Sequence, residues 1–264
     1  MENRSLLQPE QLQAYLDRIG LQQPVTADLE SLNRLLLAHL THIPFDSLDI
    51  WGAGVCPSLE MGDIYRKLVE NRRGGYCFEQ NTLFRGALNS LGFDAYQVVA
   101  CLVNPDGSIQ PPAHNVVLCR LDGRKYFLDV GFGGPVPYQA LELRQDRQQE
   151  FQLTEQGGVY TLLRWKAGES RPFLRFRDVP VSVTELIPLN FYISQNPTSH
   201  FRHIIHVNQR STDGTTRVIE GREFKYHTPQ GVVTQPIESI AQLREILETA
   251  FQMKPEHILL RQTL

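Results

Sequence analysis

The hydrophobic period changes along this chain of 264 residues, and the change falls at Gly92. Upstream, apolar residues recur at helical spacing. Pro9 opens a segment carrying Leu12, Tyr15, Leu16 and Ile19, and Gly20 closes it. Thr26 is the expected N-cap of a second helix, with Leu29, Leu32, Leu36 and Leu40 on one side. Phe84, Ala87, Leu88 and Leu91 repeat the spacing before Gly92 stops it. Downstream, Ala95–Val103, Asn115–Leu121 and Lys125–Val130 are rich in β-branched and aromatic residues and bounded by Pro, Gly and Asp. They read as antiparallel strands, as do Gly158–Leu163, Arg202–Asn208, Thr216–Ile219 and Gly231–Thr234. A last amphipathic helix starts near Ser239, where Ser239 and Gln242 have capping-box spacing. Helices, then strands, then a mixed tail predict an α+β protein. Its length predicts two or three packed sub-domains.

Composition narrows the partners. Net charge is −3 and charged residues make up 21%, so no basic surplus points to nucleic acid or a membrane surface. No apolar run is long enough to span a bilayer, and the polar start MENRSLLQPEQ predicts a cytoplasmic protein. The cysteines, at 56, 77, 101 and 119, form no C-x-x-C pair. They are expected to be free thiols and to lack the spacing of a zinc site.

Cys77 follows Arg72-Arg73-Gly74-Gly75-Tyr76 and precedes a helical stretch, so it sits at a helix N-terminus. Taken singly it is a packing thiol, a metal ligand, half a disulfide or a nucleophile. The helix end favours a thiolate by about 0.3–2 kcal/mol. Bringing a thiol of ordinary pKa, about 8.5, to full ionisation at neutral pH takes roughly 5 kcal/mol. Most of that must come from an ion-pair partner such as an imidazolium.

A hairpin supplies one. His114-Asn115-Val116-Val117-Leu118-Cys119-Arg120-Leu121 leads to Asp122-Gly123, a strong two-residue turn signal. That turn places Asp129 opposite Val116 and diagonal to His114 on the same face, with Cβ atoms roughly 7 Å apart. Cys77, His114 and Asp129 then suit a thiol nucleophile, its base and the group that orients the base. Cys119 faces away in this register, and Cys56 and Cys101 are expected to be structural.

At these residues the sequence resembles the arylamine N-acetyltransferases. The resemblance rests on R-G-G-Y-C-F-E-Q-N at 73–81, I-P-F-D-S-L-D at 43–49, the His114 hairpin, D-V-G-F-G-G at 129–134 and N-P-T-S-H-F at 196–201. His114 follows Cys77 by 37 residues and Asp129 follows His114 by 15, as in the family. The resemblance implies a helical domain (1–92) carrying the nucleophile, an antiparallel β-barrel domain (93–210) and an α/β lid (211–264), with a papain-like core. It implies ping-pong chemistry. Cys77 takes an acetyl group from acetyl-CoA and passes it to an arylamine, arylhydrazine or arylhydroxylamine, with no metal. Phe132 and Phe201, and Phe45 beside them, match the acceptor wall. Gly131, Gly133 and Gly134 match the turn along which coenzyme A runs, where exposed N–H groups are expected to meet phosphate oxygens. Arg73 and Glu79 are expected to buttress the helix start through an ion pair. The oligomeric state stays open, a homodimer included.

Two departures from the family pattern stand out. Ala113 replaces a threonine common just before the histidine, and Asp46-Ser47 replaces Glu-Asn after Pro-Phe. Two further functions use the same three groups: an amide synthase closing a polyketide macrolactam, and a papain-like peptidase or transglutaminase. His200, His203 and His206 stand three apart, a spacing that gives a compact metal site on neither a strand nor a helix; His200 is expected to line the cleft. Trp51 and Trp165 read as core or rim, and Arg144 and Arg147 as solvated surface.

Overall fold

The computed structural model describes residues 6–144, 146–148 and 150–264. Among the described residues four α-helices precede the first long strand: α1 (Pro9–Arg18), α2 (Leu29–His42), α3 (Met61–Tyr65) and α4 (Cys77–Ser90). The N-cap of α2 is Asp28, not Thr26. The Asp28 carboxylate accepts the Ser31 N–H at 2.7 Å, and Thr26 turns its hydroxyl onto that carboxylate. A charged acceptor at the positive helix end outcompetes a hydroxyl two residues earlier.

A short β1 (Phe45–Asp46) lies between α2 and α3. The strands β2 (Asp94–Leu102), β3 (His114–Leu121), β4 (Arg124–Leu128), β5 (Leu141–Glu142), β6 (Arg147–Gln148), β7 (Phe151–Gln156), β8 (Val159–Lys166) and β9 (Glu169–Arg177) form one antiparallel sheet. Their order is β5-β4-β3-β2-β9-β8-β7-β6, a nearly closed barrel. Alternation divides the strands between two cores. Val98, Val116, Leu118, Phe127, Leu162 and Phe176 fill the barrel. Val117, Cys119 and Leu128 point outward onto Leu83, Phe84 and Leu88 of α4. The barrel therefore presses against the helix that begins at Cys77.

The β3–β4 hairpin has the expected register, from Leu121 opposite Arg124 to Val117 opposite Leu128. Asp122 and Gly123 both have positive φ, 49° and 74°, as a type I′ turn requires.

Next come α5 (Val183–Gln195), α6 (His200–His203), β10 (His206–Arg210), β11 (Thr216–Glu220), β12 (Glu223–Thr228), β13 (Gly231–Pro236) and α7 (Ile240–Thr249). The strand expected from Arg202 begins only at His206, because 200–203 coil into one helical turn. Ser239 caps α7, but the Gln242 side chain accepts from Glu238 N, so the box is not closed on the cap residue. The second sheet runs β1-β10-β11-β12-β13, and α7 packs Leu243 and Leu247 against its Val207 and Ile219. Because β1 is an edge of that sheet, residue 45 sits beside residue 208. Gln209 of β10 donates to Thr41 O of α2 at 3.0 Å, and the Gly74-Gly75 pair adds a further contact. Gly75 bridges Phe45, and a Cβ on Gly74 would collide with the Pro44 carbonyl.

Candidate active site

Cys77 is the first residue of α4, His114 the first of β3, and Asp129 follows the end of β4; all three are buried. His114 Nε2 lies 2.7 Å from Asp129 Oδ2. The Cys77 side chain also acts on the ring and favours its charged form, and with Nε2 taken by Asp129 this leaves Nδ1 for the sulfur. Burial opposes charge on the imidazole. The Asp129 carboxylate, and behind it Cys77, outweigh burial and raise the His114 pKa to about 10.

Asp129 is itself held. Its Oδ1 accepts from Asn81 Nδ2 at 3.1 Å and from Gly131 N at 2.9 Å. Asn81 stands one turn beyond Cys77 on α4 and is fully buried. It also donates to Asn115 O at 2.7 Å and accepts from Val130 N at 3.1 Å. One amide thus ties β3 and the 129–131 loop to the helix. Sequence reasoning assigned Asn81 no role.

The loop touches that helix only because residue 131 has no side chain. A Cβ on Gly131 would stand 2.6 Å from Cys77 Cα. Two residues on, a Cβ on Gly133 would stand 2.9 Å from the Phe45 ring and 3.0 Å from His206 Nε2. These glycines serve close approach. Two of the three amides expected to be exposed are engaged within the loop. Gly131 N–H is engaged by Asp129, and Gly134 N–H by the Phe132 carbonyl.

β10 grips the same loop from the other side. His206 Nε2 donates to Gly133 O at 2.7 Å. Arg210 donates to Gly134 O at 3.3 Å and Val136 O at 3.2 Å, with its guanidinium 4.6 Å over the Tyr138 ring. Burial lowers the pKa of both His206 and Arg210. Neither grip has a signature in the sequence, because each joins the loop to a strand 73 to 76 residues downstream.

A cleft of about 580 Å³ opens above the sulfur. Cys77, His114, Phe45, Phe132, Phe201, Gly131, Gly133 and Gly134 all line it, with His200, His206 and Glu220 along one wall. The Phe132 ring meets His114 edge-on at 5.4 Å, and Phe45 lies 5.9 Å from Phe201. Tyr192 and Ile193 of α5 add to the wall, a helix whose internal Pro188 and mixed face concealed it in the sequence. Ala113 faces the cleft with no hydroxyl to offer.

Arg73 and Glu79 do not pair with each other. Arg73 Nη2 meets Asp49 Oδ1 at 2.7 Å and Asp46 Oδ1 at 3.7 Å. Glu79 meets Lys67 Nζ at 2.8 Å, and Lys67 also reaches Asp49 at 2.8 Å. Two cations and three carboxylates thus form one buried network under the start of α4, and Glu79 accepts from Tyr76 N at 3.2 Å. Trp51 is buried in the cluster between the second sheet and α7, and Trp165 is half-buried beneath Arg147. No group of three or more metal-ligating side chains occurs among the described residues.

The N-acetyltransferase family model matches residues 28–258. The arylamine N-acetyltransferase of Mycolicibacterium smegmatis is 32% identical over 251 residues, 91% of this chain and 90% of that one. The chain belongs to the arylamine N-acetyltransferase family. A Salmonella typhimurium relative, named arylamine N-acetyltransferase / N-hydroxyarylamine O-acetyltransferase, is 29% identical over 91% of this chain and 88% of its own. The solved structure of the Mycobacterium marinum arylamine N-acetyltransferase in complex with CoA superposes with a TM-score of 0.85 at 27% identity, covering 93% of each chain. Family membership thus accounts for the whole arrangement of helices, barrel and second sheet, and not for one motif alone.

Proposed function

We propose that this protein transfers an acetyl group from acetyl-CoA, through a thioester on Cys77, to the nitrogen of arylamines, arylhydrazines or arylhydroxylamines. The observation that carries the reading is the buried relay Cys77–His114–Asp129 at the floor of an aromatic-walled cleft. Relatives whose names specify arylamine N-acetylation, and one solved with CoA, support the substrate pair.

His114 Nε2–H bonds Asp129, so Nδ1 is the nitrogen that exchanges protons with the sulfur. In the first half-reaction the Cys77 thiolate attacks the acetyl carbonyl, and the C–S bond to coenzyme A breaks. His114 gives its proton to the leaving sulfur. In the second, the amine attacks the Cys77 thioester while Nδ1 accepts the proton that nitrogen loses. The amide leaves and the Cys77 sulfur is released. Asp129 stabilises the imidazolium at each stage. Phe132, against the imidazole edge, and Phe45 and Phe201 keep water from the thioester and accept a flat ring. Gly131, Gly133 and Gly134 offer a side-chain-free surface for the arm of coenzyme A, and Ala113 adds only a methyl group there.

The same reading keeps the division into 1–92, 93–210 and 211–264 and a cytoplasmic location; no described helix is long and apolar enough to cross a membrane. Intact-mass spectrometry tests it. Acetyl-CoA alone is expected to add one acetyl group at Cys77, an arylamine to remove it, and Cys77→Ser to abolish both. Absence of acyl transfer from every short-chain coenzyme A thioester overturns the assignment.

A further inference from the structure

The wall of the cleft beyond the aromatic rings is polar, and the relay does not use it. His206 of β10 and Glu220 of β11 are direct cross-strand partners, and both line the cleft. The glycine loop measures how far they stand from the sulfur. Gly131 packs on the backbone of Cys77, and Gly133 packs on Phe45 and His206. Two residues of chain span at most about 7 Å. A benzene ring with its nitrogen at Cys77 and a para substituent bridges a separation of this order, with Phe45 alongside.

Beside His200, two side chains of that wall offer hydrogen-bond acceptors. His206 uses Nε2–H on the Gly133 carbonyl, so its neutral ring presents a lone pair on Nδ1. Burial holds the ring neutral. Glu220 contributes a carboxylate. Lys225 lies 3.0 Å from Glu220, but it is shared with Glu223 at 3.1 Å, so one cation faces two carboxylates and the trio stays net negative. No lysine or arginine is among the described residues that line the cleft. The His206–Glu220 pair therefore accepts hydrogen bonds and carries negative charge.

We propose that His206 and Glu220 form a distal subsite that selects acceptors bearing a hydrogen-bond donor or positive charge para to the nucleophilic nitrogen, and that it disfavours carboxylates there. The subsite rests on the acetyl-transfer reading above and specifies its acceptor class.

A matched pair of acceptors tests it. 4-(Aminomethyl)aniline and 4-aminophenylacetate share a ring, a methylene spacer and an aromatic amine, and differ in the sign of the distal charge. The rate constant for discharging acetyl-Cys77 is read for each by intact mass. The cationic acceptor is expected to lead by about tenfold, the effect of one charge a few ångströms away in a solvent-lined cleft. Glu220→Gln is expected to bring the ratio near one and Glu220→Lys to invert it. The wild-type ratio requires no variant to fold, and acetylation of Cys77 by acetyl-CoA reports the integrity of each variant. A wild-type preference for the anion, or a ratio that Glu220→Gln leaves unmoved in an enzyme that acetylates normally, overturns the subsite alone. Failure of the wild type to acetylate Cys77 overturns the acetyl-transfer reading and the subsite with it.

Discussion

Asn81 donates from Nδ2 to Asp129 Oδ1 at 3.1 Å, so the residue one turn past the nucleophile holds the acid that orients the imidazole. Its other bonds, to Asn115 O and from Val130 N, bind barrel and loop to the same turn of α4. The helix thus carries the sulfur and also the clamp for the sulfur's two partners.

Asn81→Ala is expected to leave the Val130 N–H and Asn115 carbonyl without their buried partner. The cost is about 1–3 kcal/mol for each stranded group, less what relaxation recovers. The positional error of Asp129 is expected to slow acetylation of Cys77 by roughly 10²-fold. Thermal unfolding and the acetylation rate, measured side by side, check this. A variant that melts lower yet acetylates at the wild-type rate shows that Asn81 serves only the fold.

Gly131→Ala places a methyl group 2.6 Å from Cys77 Cα and 2.8 Å from Asn81 Nδ2, where backbone and a buried amide have no room to retreat. Overpacking of this kind costs about 1–3 kcal/mol. The loop is expected to lift, carrying Asp129 from His114. Acetylation should fall more steeply than stability, whereas Gly123→Asn in the exposed hairpin turn should spare the rate. Unchanged acetylation of Gly131→Ala removes the close approach as a requirement.

Much of this site is legible in sequence because it depends on local rules. The Asp122-Gly123 turn fixes the register of β3 and β4, and register alone brings His114 beside Asp129. The helix that starts at Cys77 follows from period and stop signal. The remainder depends on long-range packing that no local pattern encodes. Lys67 reaches Glu79 and Asp49 only after the chain folds back on itself, and His206 reaches Gly133 only because β1 joins the second sheet. Strand β9 was hidden by Pro172 and alternating charges; it pairs with β8 across a register shift at Leu162/Leu163.

Two buried histidines are expected to shape stability on opposite sides of neutrality. His39 is fully buried between Tyr15 and Gln80, its nitrogens 2.8 Å and 2.6 Å from their polar atoms. Burial lowers its pKa to about 3. The unfolded chain then binds a proton that the native state refuses, so stability falls as pH drops below about 6.5, the ordinary histidine value. His114 runs the other way. Its raised pKa, about 10, stabilises fully below about 6.5 and loses that contribution as pH rises through 10. Each limb has a slope near 1.4 kcal/mol per pH unit. Urea midpoints across this range are expected to peak near neutrality. His39→Gln should flatten the acid limb and His114→Gln the alkaline limb. Matching slopes in wild type and variants would dismiss both assignments.

Lys67 is the cation whose loss the network tolerates least, because Glu79 has no other cation within ion-pair distance among the described residues. Asp49 keeps Arg73 at 2.7 Å, but Glu79 is left with the Tyr76 amide as its remaining described partner. Stranding a buried carboxylate costs about 3–5 kcal/mol. Lys67→Met is expected to lose stability in that range and to loosen the first turn of α4, where Cys77 sits. The double variant Lys67→Met/Glu79→Gln removes the stranded charge while its amide oxygen still accepts from Tyr76 N. Much of the lost stability is therefore expected to return, together with the rate of Cys77 acetylation. Urea denaturation of the two variants decides the matter. If the second substitution restores nothing, the harm done by the first lies in lost packing of the Lys67 stem and not in the charge of Glu79.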